Sequence, residues 1–284
     1  MALKTWFITG VSRGFGKALT EAVIARGHAV VGTTRDGAAP FANSSGRLTT
    51  LALDVTDSAA VPVVIEQAVR VTGRLDFIIN NAGYGLLGSV EEASEQDIDR
   101  LFAVNFHGTR RIIQAVLPHL RRQGSGHIVN ITSVAGLAPG AGSGFYAAVK
   151  FAVEGLSQSL ALEVAPLGIR VTLVEPGVFR TDFLSDHSLR AKPVAIDGYE
   201  PTVGAVLAIL HKLAGNQTGD PARAAAAIIQ AVEADEPPLH LVLGPDAFQR
   251  VRAKQERFAA ELERWKDVSI GTDFASADQR SDSR

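Results

Sequence analysis

The sequence predicts an α/β fold: a single parallel sheet of about seven strands, doubly wound, with helices on both faces. Short apolar, β-branched runs alternate with longer helical stretches along most of the chain. Those runs are continuously apolar, the pattern of strands buried on both faces of a parallel sheet. A glycine-rich turn follows the first run directly, where a first strand would hand over to a first helix.

The elements follow in order. Thr-Trp-Phe-Ile-Thr at 5–9 is the first strand, and the helix after the glycine turn covers 14–26. Strands are expected at 29–33 and 48–53, and a helix at 58–72 behind Asp57, a capping candidate. The strand at 77–79 precedes a long helix at 95–122. The strand at 127–132, the helix at 144–165 and the strand at 170–174 come next, then a helix at 221–234 and a last strand at 240–243. Right-handed crossovers between parallel strands wind the helices onto both faces. Two regions break the rhythm. Residues 183–219 mix Pro and Gly with apolar residues after a strand end, which suggests a lid over a substrate site, and 267–284 read as a polar, frayed tail. With no repeat and no linker, 1–266 is expected to be one domain.

Composition excludes several functions. A net charge of −2 gives no reason to expect nucleic acid or an anionic membrane as partner. With no cysteine there is no disulfide, cysteine nucleophile or thiolate metal site, which fits a reducing cytoplasm. The first residues run straight into strand-like sequence, too short for a signal peptide, and no apolar run reaches membrane-spanning length. The expectation is a cytoplasmic protein, and no metal site is read.

Tyr146 and Lys150 stand four residues apart on one helix face, with Ser133 thirteen residues upstream. A free tyrosine titrates near pH ~10, too weak an acid for neutral catalysis, and a neighbouring cation would lower that value. The bland alternative is a surface helix on which a phenol and an ammonium happen to be neighbours. The turn Thr9-Gly10-Val11-Ser12-Arg13-Gly14-Phe15-Gly16 lies in the first βα connection, where a pyrophosphate meets a helix N-terminus. Its Gly-x₃-Gly-x-Gly spacing differs from the commoner Gly-x-Gly-x₂-Gly.

Together with Asn80-Asn81-Ala82-Gly83, Ser133, Tyr146-x₃-Lys150 and Pro176-Gly177-x₃-Thr181, this turn resembles the short-chain dehydrogenase/reductase family in its typical, shorter-core branch, over residues 4–245. The resemblance implies a Rossmann-type sheet and an oxidoreductase that interconverts a ketone or aldehyde with an alcohol. Tyr146 would be the acid/base, Ser133 would hold the carbonyl oxygen, and Lys150 would lower the tyrosine pKa and bind the nicotinamide ribose. Asn105 would bend its helix and hold a water linked to that lysine. Gly10, Ser12, Arg13, Gly14, Phe15 and Gly16 would cradle the dinucleotide. Asp54 and Val55 would border the adenine, and Asn81, Ala82 and Gly83 would line the site. Pro176, Gly177, Val178 and Thr181 would hold the nicotinamide carboxamide.

Cofactor choice rests on the end of the second strand. Where an acid would favour NAD, this chain has Thr34 followed by Arg35, and Arg35 with Arg13 could clamp a 2′-phosphate. NADP(H) is therefore expected over NAD(H), the alternative being that Asp36 takes the ribose. The segments bordering the substrate, with Leu86, Leu87, Leu137, Phe145, Phe179, Phe183 and Leu184, imply an apolar carbonyl compound or alcohol. Residues 80–182 further resemble the hydroxysteroid and retinol dehydrogenase branch. Family members imply a homodimer or homotetramer through the helices at 95–122 and 144–165. Two other classes stay open: a non-catalytic NADP(H)-binding regulator on the same fold, and a related epimerase or dehydratase. His107 is read as a packed or surface residue and not as an acid/base.

Overall fold

The computed structural model describes residues 3–41, 45–185, 188–191 and 195–274. The chain forms β1 (Thr5–Thr9), α1 (Gly14–Ala25), β2 (Ala29–Thr34), β3 (Leu48–Ala52), α2 (Ala60–Thr72), β4 (Phe77–Asn80) and β5 (Gly85–Leu87). It continues through α3 (Glu95–Phe102), α4 (Thr109–Gln123), β6 (Gly126–Ile131), α5 (Gly144–Val164), β7 (Ile169–Pro176) and β8 (Leu189–Ala191). The last elements are α6 (Ala205–Leu213), α7 (Pro221–Val232), β9 (His240–Leu243), α8 (Pro245–Arg264) and α9 (Lys266–Ile270).

Seven strands form one sheet in the order β3-β2-β1-β4-β6-β7-β9. Every pair in it is parallel. Apolar residues cover both faces. Phe7, Val31, Ile78 and Ile128 pack against α2, α4 and α5 on one side. Trp6, Ile8, Val30, Ile79 and Val129 pack against α1 and α7 on the other. Burial on both faces accounts for the unalternated apolar runs. Strand order reverses between β1 and β4, so the ends of those two strands open a crevice at the switch point.

Local chemistry sets the ends. The Asp57 carboxylate accepts from the Ala59 and Ala60 N–H groups at the start of α2, at 2.9 and 3.0 Å. Asp220 accepts from Ala222 at 2.8 Å and precedes Pro221, the first residue of α7.

The long helix expected at 95–122 is not continuous. A π-helical turn, Ala103–Gly108, separates α3 from α4. A second, two-stranded parallel sheet joins β5 to β8 across a hundred residues of sequence, outside any expected strand. The region expected to be a lid contains β8, a π turn at Glu200–Gly204 and α6, while 186–187 and 192–194 lie outside the described residues. The expected tail begins within a helix, α9, and 275–284 lie outside the described residues. Among the described residues, no helix is long and apolar enough to cross a membrane.

Candidate active site

The crevice at the strand ends is a cavity of about 820 Å³. Every residue expected to bind cofactor lines it except Gly16, and so do Ser133, Tyr146 and Lys150. Asn105 does not line it.

One wall is the glycine turn. Gly10 and Gly14 have φ of +71° and +57°, left-handed values that favour glycine. Gly16 lies behind them, packed so closely that a Cβ there would overlap the Gly10 carbonyl oxygen and stand 2.5 Å from Asn81 Nδ2. No side chain caps α1 and no acid occupies its first turn, so its N-terminal end faces the crevice with its positive dipole. This cradle fits the pyrophosphate of a dinucleotide.

Asn81 locks the turn to β4. Its Nδ2 donates to the carbonyls of Thr9 and Gly10, both at 2.9 Å. The Asn81 and Ala82 N–H groups both donate to Thr9 Oγ1 at 3.0 Å. Deeper in, Asn80 Nδ2 donates to Asn130 Oδ1 at 2.8 Å, and Asn130 Nδ2 donates to Ser157 Oγ on α5 at 2.7 Å. Ser157 Oγ in turn donates to the Val153 carbonyl at 2.6 Å.

Asp36 does not line the crevice, and its carboxylate accepts from the Ala38 N–H at 3.0 Å. That bond, with a second from Thr34, holds Asp36 below its ordinary value. Arg13 and Arg35 both line the crevice. Asp54 accepts from Thr56 N and Oγ1 at 2.8 and 2.7 Å; the first of these leads in lowering its pKa.

Ser133, Tyr146 and Lys150 also line the cavity. Ser133 lies two residues beyond β6, and its Oγ accepts from Ala135 N at 3.1 Å. Tyr146 and Lys150 sit one turn apart in α5, both buried. Lys150 Nζ donates to the Ile131 carbonyl at 2.9 Å and lies 5.7 Å from the Tyr146 ring centroid. Burial pushes the Tyr146 phenol up to about 12, against a hydrogen bond from Ser133. Burial also pushes Lys150 down to about 8, while Glu154 opposes it. Burial thus acts on the phenol in the opposite direction to the lowering expected from Lys150.

Bonds within the chain bear on two further expectations. On the backbone expected near the carboxamide, the Val178 N–H donates to Asp246 Oδ2 at 3.0 Å. Thr181 Oγ1, which accepts from Phe183 N at 3.2 Å, keeps its own proton to donate. Asp246, at the start of α8, is a residue the sequence reading missed; its signal was the Gly-Pro-Asp turn after the last strand. Asn105 sits in the π turn, but its amide is committed to the chain at Tyr84. Oδ1 accepts from Tyr84 N at 2.9 Å and Nδ2 donates to Tyr84 O at 2.7 Å. His107 does not line the cavity; burial first, then Arg110 and Arg111, lowers its pKa.

Apolar residues that line the cavity include Leu87, Phe183, Leu184, Leu189, Val206 and Leu210. The Tyr84 hydroxyl is buried, with no hydrogen-bond partner among the described residues. Gly85 N donates to Ser188 O at 2.8 Å, and Arg190 pairs with Asp97 at 3.2 Å.

A dinucleotide cradle facing a Ser-Tyr-Lys group on a doubly wound sheet defines an oxidoreductase architecture. The family model described as short chain dehydrogenase matches residues 4–191, and the chain belongs to that family. It is 37% identical over 273 residues to oxidoreductase BOA17 of Botryotinia fuckeliana, covering 95% of this chain and 99% of that one. It is 39% identical to the 3-ketodihydrosphingosine reductase of Bacteroides thetaiotaomicron, covering 84% and 87%. The crystal structure of a short-chain dehydrogenase from Streptomyces avermitilis superposes with a TM-score of 0.88 at 39% identity, over 96% of this chain and all of that one. ElxO with NADP bound is similar at 26% identity and a TM-score of 0.71, over 87% and 100%. A Burkholderia phymatum relative in complex with NAD shares the fold at 24% identity and a TM-score of 0.78, over 96% and 98%.

Proposed function

We propose that this chain is an NADP(H)-dependent carbonyl reductase and alcohol dehydrogenase acting on a largely apolar substrate. The observation that carries the reading is the convergence of Ser133, Tyr146 and Lys150 on the cavity that the glycine turn bounds. The bound nicotinamide supplies or accepts the hydride. Gly10 to Gly16 and the α1 N-terminus hold its pyrophosphate, and Arg13 with Arg35 holds the 2′-phosphate. Thr181 Oγ1 donates to the carboxamide.

Tyr146 gives its proton to the substrate oxygen as carbon accepts hydride, and Ser133 hydrogen-bonds the same oxygen as charge grows on it. The buried phenol is protonated at neutral pH, and the Lys150 cation, 5.7 Å from its ring centroid, stabilises the phenolate left when that proton is given up. Lys150 binds the nicotinamide ribose and returns the proton. In the relay Asn105 acts through its backbone carbonyl, because its side chain is spent on Tyr84; that carbonyl also accepts from Thr109 Oγ1 at 2.9 Å. The leucines and Phe183 at the far end favour an apolar substrate body, in keeping with the ketolipid named for the Bacteroides relative. Self-association through α4 and α5, where Phe151 and Leu162 are exposed, belongs to the same reading; light scattering at the 30.0 kDa monomer mass would refute it.

Tyr146→Phe keeps the ring that packs against Phe183 at 5.7 Å and removes only the proton donor. Turnover of a hydrophobic ketone should fall by roughly 10²- to 10⁴-fold while NADPH affinity by fluorescence titration stays within about twofold. Turnover close to wild type refutes the assignment.

A further inference from the structure

Behind Lys150 lies a cluster that this reaction scheme does not use. Glu154 follows Lys150 by one turn of α5, on the same buried face. The two side chains pack on the same glycine: a Cβ at Gly136 would meet Glu154 Cγ and Lys150 Cβ, each at 3.2 Å. Glu154 is 2% exposed, and among the described residues neither carboxylate oxygen has a hydrogen-bond partner. Thr132, just after β6, gives its hydroxyl proton to the Val174 carbonyl at 3.0 Å. Glu175, on β7, is 0% exposed. His240 Nδ1 stands 2.7 Å from Glu175 Oε1 and 3.8 Å from Glu154 Oε2. The His240 side chain is 38% exposed, so it reaches solvent at the edge strand β9. The neighbouring cations on α8 are engaged elsewhere: Arg250 and Lys254 donate to the carbonyls of Ala138 and Leu137.

Two carboxyl groups taken this far out of water are costly as anions. The two carboxyls are coupled, so their titration belongs to the pair and not to one residue. Burial raises both: Glu154 to about 7, with Glu175 adding to the rise, and Glu175 to about 8. Lys150 and Glu154 each favour the charged form of the other.

We propose that Glu154 is a positioning residue for the reaction, holding the charge of Lys150 from behind, and that Glu175 and His240 connect it to solvent as a proton reservoir. The proposal rests on the assignment of Lys150 to catalysis. At low pH Glu154 is neutral and adds nothing to the lysine. As pH rises it ionises and keeps Lys150 protonated into the alkaline range. His240, when cationic, lowers the pH at which this begins.

The test is the pH profile of kcat/KM for ketone reduction from pH 5.5 to 9.5, using Glu154→Gln and His240→Gln in the full-length chain. Tyr146→Phe, run in parallel, decides the underlying assignment on its own, because an active Tyr146→Phe refutes that assignment whatever Glu154 does. Gln is the shape of a protonated Glu, so Glu154→Gln should match wild type near pH 5.5. Its alkaline limb should move down by about half to one unit, giving a roughly three- to tenfold loss at high pH. His240→Gln should push the ionisation of Glu154 upward, so that this variant leaves the Glu154→Gln profile only at a higher pH than wild type does. A Glu154→Gln profile that superposes on wild type, or one lowered equally at every pH with a fall in Tm, overturns the proposal. A stoichiometric divalent ion in the purified wild-type protein, lost in Glu154→Gln, overturns it as well.

Discussion

Removing Arg35 tests cofactor choice most directly. Arg35 lines the crevice at the end of β2, while Asp36, the acid that could have read a ribose hydroxyl, does not line it and is bonded to the Ala38 N–H. A guanidinium bonded to a phosphate contributes about 1.5–3 kcal/mol where water is excluded. Arg35 is exposed, so the lower part of that range or less applies. Arg13 is half-buried and keeps more of its contribution. Arg35→Ala should therefore lower kcat/KM for NADPH by roughly fivefold to tenfold, and Arg13→Ala by somewhat more, each with little effect on NADH. The NADPH-to-NADH ratio in the double variant should fall by about a hundredfold if the two sites act independently. The assay is initial-rate kinetics with both cofactors at low and high salt, because an exposed ion contact weakens as salt rises. Equal losses for both cofactors, or a wild type that prefers NADH, would refute the reasoning.

Two further outcomes follow from the structure. His127 is buried and bonded to Thr172 Oγ1 at 2.9 Å, and burial lowers its pKa from 6.5 to about 4. A depressed folded-state value stabilises the neutral form, so this contribution is complete above pH 6.5 and lost as pH falls toward 4, up to roughly 3 kcal/mol. Thermal unfolding across that window should steepen with acid in wild type and less so in His127→Asn; parallel curves would exclude the effect. The proposed lid over 183–219 should become more resistant to limited proteolysis with NADPH and a substrate analogue present. Identical cleavage with and without them would remove that role.

The sheet was readable because burial on both faces leaves an unmistakable mark, runs such as Trp6-Phe7-Ile8 and Phe77-Ile78-Ile79. The glycine turn and the Tyr-Lys pair were readable because steric room and helical spacing are local properties. What escaped was non-local. β5 and β8 are three residues each, and neither has a strand pattern of its own; each exists because the other arrives from about a hundred residues away. The π turn at Asn105 comes from the same cause, an amide that bonds Tyr84 across the fold. The direction of the Tyr146 shift also escaped, since spacing shows a nearby cation and says nothing of how dry the site is. α8 was unassigned, and its outer half leaves Phe258, Leu262 and Trp265 exposed, so it lacks the one-sided burial that marks a core helix.

The bonds from Asn80 through Asn130 to Ser157 have a mechanical consequence. An α-helix lying on a smooth aliphatic sheet can roll about its axis by several degrees at little cost, because dispersion contacts are undirected. Ser157 lies three turns beyond Tyr146, close to the same face of α5. Its hydroxyl is fastened through two amides to the two central strands, and a roll would break bonds that no water could replace there. The azimuth of the whole helix is thus indexed to the sheet at one point. The phenol and the ammonium inherit that setting, and their aim into the cavity is fixed from the core outward.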